Sequence, residues 1–227
     1  MARRSFAVIG LGRFGSAMSK TLVDLGQDVI GIDHDEERVH RMADVIRHAI
    51  ELDATDDKAL RAAGVQDVDV AVVSIGENIE ASLLVVMQLI ELGVDQIVAK
   101  AVTPLHGKIL QKLGVTRVIY PEAEMAVRVA HSIVVPNVLD YIELSRDFSI
   151  VEIPTPADWA GKSLKELALR PRYGLTLIAI KRKTGTGDGE ITNVAPAADD
   201  IIQAGDTVSL LGDNDRLAQL DQLLKSK

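Results

Sequence analysis

The apolar positions of this chain switch between two periods, and the switch recurs at short intervals. Ser5 to Ile9 is a compact run of β formers that breaks at Gly10, and Ser16 to Leu25 then carries apolar residues at helical spacing. Further strands are predicted over Asp28 to Ile32, Ile46 to Leu52, Val68 to Ile75, Gln96 to Val102 and Val115 to Ile119. Between them fall helices that open at Asp35-Glu36-Glu37, span Ala59 to Ala63 before Gly64, span Glu80 to Leu92 before Gly93, and span Pro104 to Leu113. Strands alternating with crossover helices predict an α/β, Rossmann-like, doubly wound parallel sheet, with ligands at the carboxyl ends of its strands.

The pattern then changes. Pro121 suits the first position of a long helix over Glu122 to Val135, with Met125, Val129, Ile133 and Val134 at helical spacing and Pro136-Asn137 at its end. A short segment runs on to about Arg146. From Phe148, alternating residues predict a strand through Pro154, and later strands over Tyr173 to Lys181 and Asp206 to Gly212. Helices are predicted over Ser163 to Ala168 and Asn214 to Leu224, with a loop from Thr184 to Gly189. The expected organisation is a nucleotide-binding domain over residues 1–120, a helix and linker over 121–146, and a second, smaller α/β domain over 147–227.

Composition narrows the function. The 227 residues hold 25 Lys and Arg against 33 Asp and Glu, a net charge of −8, with only 3% aromatics. Such a chain is a poor partner for nucleic acid or an anionic membrane surface. It has no cysteine, which removes disulfides, thiolate nucleophiles and cysteine-ligated zinc. No apolar stretch approaches the roughly 20 residues of a membrane span, and the start lacks a signal-peptide core. The expected location is the cytoplasm.

The chemistry is concentrated at Gly10-Leu-Gly-Arg-Phe-Gly15. Strand, glycine turn and helix in that order form a phosphate-binding context: Gly10 permits the turn, Gly12 admits a diphosphate to the backbone, and Gly15 lets the helix pack on its strand. The helix start adds free N–H groups and a partial positive charge. Asp33, 33 − 15 = 18 residues after the last glycine, is placed to accept ribose hydroxyls and to disfavour NADP, or else to cap the next helix. Arg13 suits concentrated phosphate charge such as that of ADP or ATP, or simply faces solvent. Lys100 is a second candidate phosphate partner. Asp53-Ala54-Thr55 and the Ser74-to-Asn78 stretch, with Ile75, Gly76 and Glu77, would line the crevice; Asp53 to Asp56 also reads as a turn and cap. Glu122 and Glu124 are ordinary dipole partners or divalent-ion ligands. Catalytic groups are scarce, because all five histidines lie within the first 131 residues and the second domain has none. His106 reads as a surface residue that could reach a ligand. Lys162, Lys165, Arg170, Arg172, Lys181, Arg182 and Lys183 form a basic run, read as a solvated face or an anion site.

These residues resemble a known family. Phe6 to Gly15, Ile32-Asp33, Asp53-Ala-Thr55, Val73-Ser-Ile-Gly76, Lys100-Ala101 and Tyr120-Pro-Glu122 look like the RCK (KTN) domain of regulatory subunits of Ktr/Trk-type potassium uptake systems. Gly161 to Leu167, Tyr173 to Ile180 and Gly205-Asp206 look like the companion C-terminal RCK domain, and the whole is closest to the KtrA type. The Lys183 to Glu190 loop departs from shorter family versions. The resemblance implies a non-enzymatic, cytoplasmic subunit assembled as dimers into an octameric gating ring on a separate membrane pore-forming subunit, with no membrane insertion of its own. It implies ATP, ADP or NAD(H) as ligand, held by Gly10, Gly12, Arg13, Phe14, Gly15, Asp33, His34, Asp53, Ala54, Thr55, Ile75, Gly76, Glu77, Lys100, His106 and Glu122. Arg13 would reach a terminal phosphate across the dimer, and Glu122 would lie near a Mg2+ or Ca2+ site. Cyclic di-AMP would bind near Leu164, Leu175 and Pro196, with Arg170 close by. The competing reading from the glycines and Asp33 is a small NAD-dependent oxidoreductase.

Overall fold

The computed structural model describes residues 3–134, 138–184 and 189–225. The chain forms two compact units, Met1–Pro121 and Glu122–Lys227. In the first, six strands make one parallel sheet: β1 (Ser5–Ile9), β2 (Asp28–Asp33), β3 (His48–Glu51), β4 (Val70–Val73), β5 (Ile97–Lys100) and β6 (Arg117–Ile119). Their spatial order is β3-β2-β1-β4-β5-β6, so the winding reverses between β1 and β4. That reversal opens a crevice above the carboxyl ends of these two strands. The connecting helices are α1 (Arg13–Asp24), α2 (Glu36–Met42), α3 (Asp57–Ala62), α4 (Ile79–Glu91) and α5 (Pro104–Leu113).

The central strands are apolar on both faces, as a covered parallel sheet requires. Ala7 and Ile9 of β1 and Ala71 and Val73 of β4 join one core with Val85, Val86 and Leu89 of α4. Val8, Val70 and Val72 point the other way, into a core with Leu11, Val29, Met42 and Ile46. Ile46 was expected in the third strand; it instead precedes β3 and packs on Gly31, where a Cβ would stand 2.3 Å from its Cδ1. Helix α1 begins three residues earlier than the apolar pattern suggested, because Gly12 already serves as its N-cap.

The second unit takes α6 (Pro121–Val134) from its second residue, followed by β7 (Asp140–Glu143) and β8 (Phe148–Pro154). Two short helices, α7 (Leu164–Leu167) and α8 (Leu169–Tyr173), precede β9 (Thr176–Lys183), β10 (Glu190–Val194), β11 (Thr207–Asp213) and α9 (Asn214–Lys225). The sheet is antiparallel, in the order β10-β9-β11-β8-β7. Its core gathers Val151, Ile153, Trp159, Leu175, Val208 and Leu210. The two outer strands, β7 and β10, were not expected from the sequence. Every residue of β10 is exposed, so no buried alternation marks it. Tyr173 belongs to α8 rather than to a strand; Gly174, at φ 69°, ends the helix and delays the strand to Thr176. The expected helix end at Val135 to Asn137 and the middle of the Thr184 to Gly189 loop lie outside the described residues.

Candidate functional site: a phosphate-binding glycine loop

The loop after β1 turns because Gly10 adopts φ 94°, where a side chain is strained. Its N–H donates to Ile32 O at 2.7 Å, tying the loop to β2. From β4, Ser74 N–H donates to Ile9 O at 2.8 Å, and the Ser74 hydroxyl donates to Gly10 O. The next peptide is held from the opposite side, where Leu11 N–H donates to Asp33 Oδ2 at 2.6 Å. Leu11 O accepts the Ser16 hydroxyl at 2.7 Å and Gly12 O accepts Ser16 N–H at 2.9 Å. The carbonyls of residues 9–12 are thus all consumed inside the protein.

The N–H groups that follow along the loop are not. The N–H groups of Gly12, Arg13, Phe14 and Gly15 have no acceptor among the described residues, and no side chain caps α1. Each of the other four helices of this unit is capped, α2 by Asp35, α3 by Asp56, α4 by Asn78 and α5 by Thr103. A run of unpaired donors at a helix start is an anion site. A Cβ built on Gly12 meets nothing within 4 Å, so the space beside the loop at this residue is open. A Cβ on Gly15 would stand 1.8 Å from Gly10 O, so only glycine lets α1 lie against the loop. The residues present fit a nucleotide diphosphate.

Around this centre, Asp33 is almost fully buried and accepts from Leu11 N–H and, through Oδ1, from Asp35 N–H at 3.0 Å. It is not the cap of α2; Asp35 takes that role by accepting Arg38 N–H. Arg38 also places Nη1 at 3.5 Å from Asp33 Oδ2, a neighbour that sequence reasoning missed. His34 is exposed, with Nδ1 at 3.4 Å from Asp33 Oδ1. Arg13 is exposed on the first turn of α1 and Phe14 is half-buried. Beyond β4, Ile75 packs on the core, Glu77 is exposed, and Lys100 Nζ reaches across from β5 to 3.3 Å from where a Cβ on Gly76 would stand.

Other expected residues are placed less directly. Asp53 accepts Thr55 N–H at 2.9 Å and its hydroxyl at 2.7 Å, a closed turn whose two donors, the backbone N–H first, hold its carboxyl below the usual range. Ala54 turns its side chain into the core. The surface position expected for His106 is corrected: it is buried, its Nδ1 accepts Val102 N–H at 3.5 Å, and its Nε2 has no partner among the described residues. Burial pushes its pKa down. Glu122 belongs to the second unit, exposed in the first turn of α6, and no cluster of three His, Asp or Glu forms among the described residues. The basic run of that unit is partly dissolved, since Lys181 pairs with Glu152 at 2.6 Å and Arg182 with buried Asp206 at 2.7 Å. Ser74 was expected only as part of the crevice-lining stretch after β4, not as a holder of the loop's carbonyls, and Ser16 was not expected at the site at all; only its place next to Gly15 marked it.

A doubly wound sheet with a glycine loop at its switch point defines a nucleotide-binding Rossmann-type domain, here joined to a small antiparallel domain. Comparison with known proteins carries this further. The TrkA-N domain family matches residues 6–121 and the TrkA-C domain family matches residues 148–225. The chain belongs to the TrkA-N/TrkA-C family. It is 42% identical over 210 residues to Ktr system potassium uptake protein C of Bacillus subtilis, covering 92% of each chain. It is 39% identical to Ktr system potassium uptake protein A of the same organism, covering 92% of this chain and 91% of the other. Among solved structures, the GsuK channel bound to NAD superposes with a TM-score of 0.62 at 17% identity, over 99% of this chain. The GsuK RCK domain gives 0.51 at 21%, again over 99%. The present chain spans only 40% and 47% of those two chains, and at such identity they show the shared fold. Among the described residues, no helix is long and apolar enough to cross a membrane.

Proposed function

We propose that this chain is a nucleotide-sensing regulatory subunit of a potassium channel or transporter, with no catalytic turnover of its own. The observation that carries the reading is the set of four unpaired N–H groups at Gly12 to Gly15, in a chain whose relatives are named potassium uptake proteins. The ligand is ATP, ADP or NAD(H), with its diphosphate on the loop, its ribose beside Asp33 and Arg13 on its charge-dense end. NAD in the GsuK channel, which shares the fold, supports the same class of ligand. Binding controls flux only if the nucleotide favours one conformation of the assembly over another, since equal affinity for both shifts nothing.

In this reading the subunit is cytoplasmic, forms dimers that close into an octameric ring, and sits on a membrane pore-forming partner. Glu122 contributes to a Mg2+ or Ca2+ site completed by a second copy, and cyclic di-AMP is a candidate second ligand of the C-terminal unit. Calorimetric titration with ATP, ADP, NAD and NADH tests the core claim, with hydride-transfer assays alongside. Silence with all four nucleotides would overturn it. Sustained hydride transfer would establish an oxidoreductase instead.

A further inference from the structure

We infer that the hydroxyls of Ser16 and Ser74 are positioning groups of the nucleotide site, which turn the carbonyls of the glycine loop away from the phosphates. The inference rests on the nucleotide reading above and concerns residues that do not themselves touch the ligand.

A glycine loop presents as many carbonyl oxygens as N–H groups, and a carbonyl aimed at a phosphate repels it. An anion site therefore needs every peptide dipole of the loop oriented one way, and backbone freedom at Gly10 and Gly12 works against that. Four acceptors and two serines settle the orientation here. Ser74 N–H and hydroxyl hold Ile9 O and Gly10 O, and Ser16 hydroxyl and N–H hold Leu11 O and Gly12 O. Each serine thus fixes two consecutive peptides, one from β4 and one from α1. The Ser74 hydroxyl is not interchangeable with bulk water. A Cβ on Gly15 would stand 2.6 Å from Ser74 Oγ and one on Gly10 would stand 3.1 Å from it, so the hydroxyl is seated between the two glycines. Ser16 is half-buried in the first turn of α1. Without these donors, Gly10 O and Leu11 O keep no partner among the described residues, and the peptides are free to flip toward the space that Gly12 leaves open.

The test uses the full-length chain and two ligands, ADP and adenosine, which share the base and ribose but differ in the diphosphate. Ser74→Ala and Ser16→Ala are each expected to weaken ADP about 5- to 10-fold, the worth of one positioning hydrogen bond. Adenosine affinity should stay unchanged in both, and Ser16→Thr, which keeps the hydroxyl, should retain ADP affinity. Unchanged ADP affinity in both alanine variants would overturn the inference. An equal fall for adenosine and ADP would also overturn it, because a general loosening of the fold moves both. Failure of the wild-type chain to bind ADP would instead remove the nucleotide reading itself.

Discussion

Gly15→Ala and Gly12→Ala form a pair of substitutions with opposite structural consequences and one shared functional consequence. At position 15 the new Cβ would stand 1.8 Å from Gly10 O, where ordinary contact begins near 3.4 Å, a shortfall of 3.4 − 1.8 = 1.6 Å. The clash is with backbone, and that carbonyl is pinned by Ser74, so α1 must move away from the loop. Overpacking of this kind costs about 1–3 kcal/mol of stability. The displacement also carries the N–H groups of Phe14 and Gly15 out of hydrogen-bonding range of a bound phosphate. Losing one charge-assisted bond, worth about 1.5–3 kcal/mol, weakens ADP roughly 10- to 100-fold. At position 12 the backbone has φ −66°, which any residue adopts, and the Cβ meets nothing within 4 Å. Stability should therefore stay within about 0.5 kcal/mol of wild type. The methyl group would nonetheless occupy the approach of the diphosphate, and ADP affinity should fall about tenfold or more. Urea denaturation and calorimetry on the three proteins separate the two effects. Undiminished ADP affinity in Gly12→Ala would show that the open space beside the loop is not the phosphate site.

Three further outcomes follow from the same geometry. Arg13→Ala is expected to weaken ATP more than NAD, because charge is denser on a triphosphate, and an equal loss in calorimetry would place the arginine's role in the loop itself. His106, neutral and pushed down by burial, stays unprotonated in the fold at pH values where the unfolded chain takes up a proton. Its contribution to stability is therefore complete above about pH 6.5 and is lost as pH falls below it, by up to about 1.4 kcal/mol per pH unit; denaturant titrations from pH 8 to 5 should show that slope flattened in His106→Gln. Ala168 sits at φ 46° between α7 and α8, in the left-handed region, so Ala168→Gly should raise unfolding stability by about 0.5–1 kcal/mol, read as a higher midpoint in urea.

The nucleotide-binding unit was unusually legible because its signals are local. Five-residue apolar runs of β formers, capped helices and the Gly10, Gly12, Gly15 spacing each depend on neighbours in sequence, and a parallel sheet covered on both faces writes its strands as continuous apolar runs. The second unit was less legible at its margins. β7 and β10 are edge strands, held by one partner each; β10 is wholly exposed and β7 buries only Tyr141, so the pairing that makes them strands leaves no periodic trace.

Sequence alone determined the fold class, the order of the elements and which loop is the candidate phosphate site, since those follow from periodicity and from what glycine permits. Tertiary structure decided how the loop is held. Ser74 and Asp33 stand 64 and 22 residues from the loop atoms they contact, and only the parallel pairing of β1 with β4 and β2 brings them there. It also decided that Asp35 and not Asp33 caps α2, and that His106 is buried. A side chain's environment is set by the elements packed around it, and that packing is the part of the structure a linear pattern does not encode.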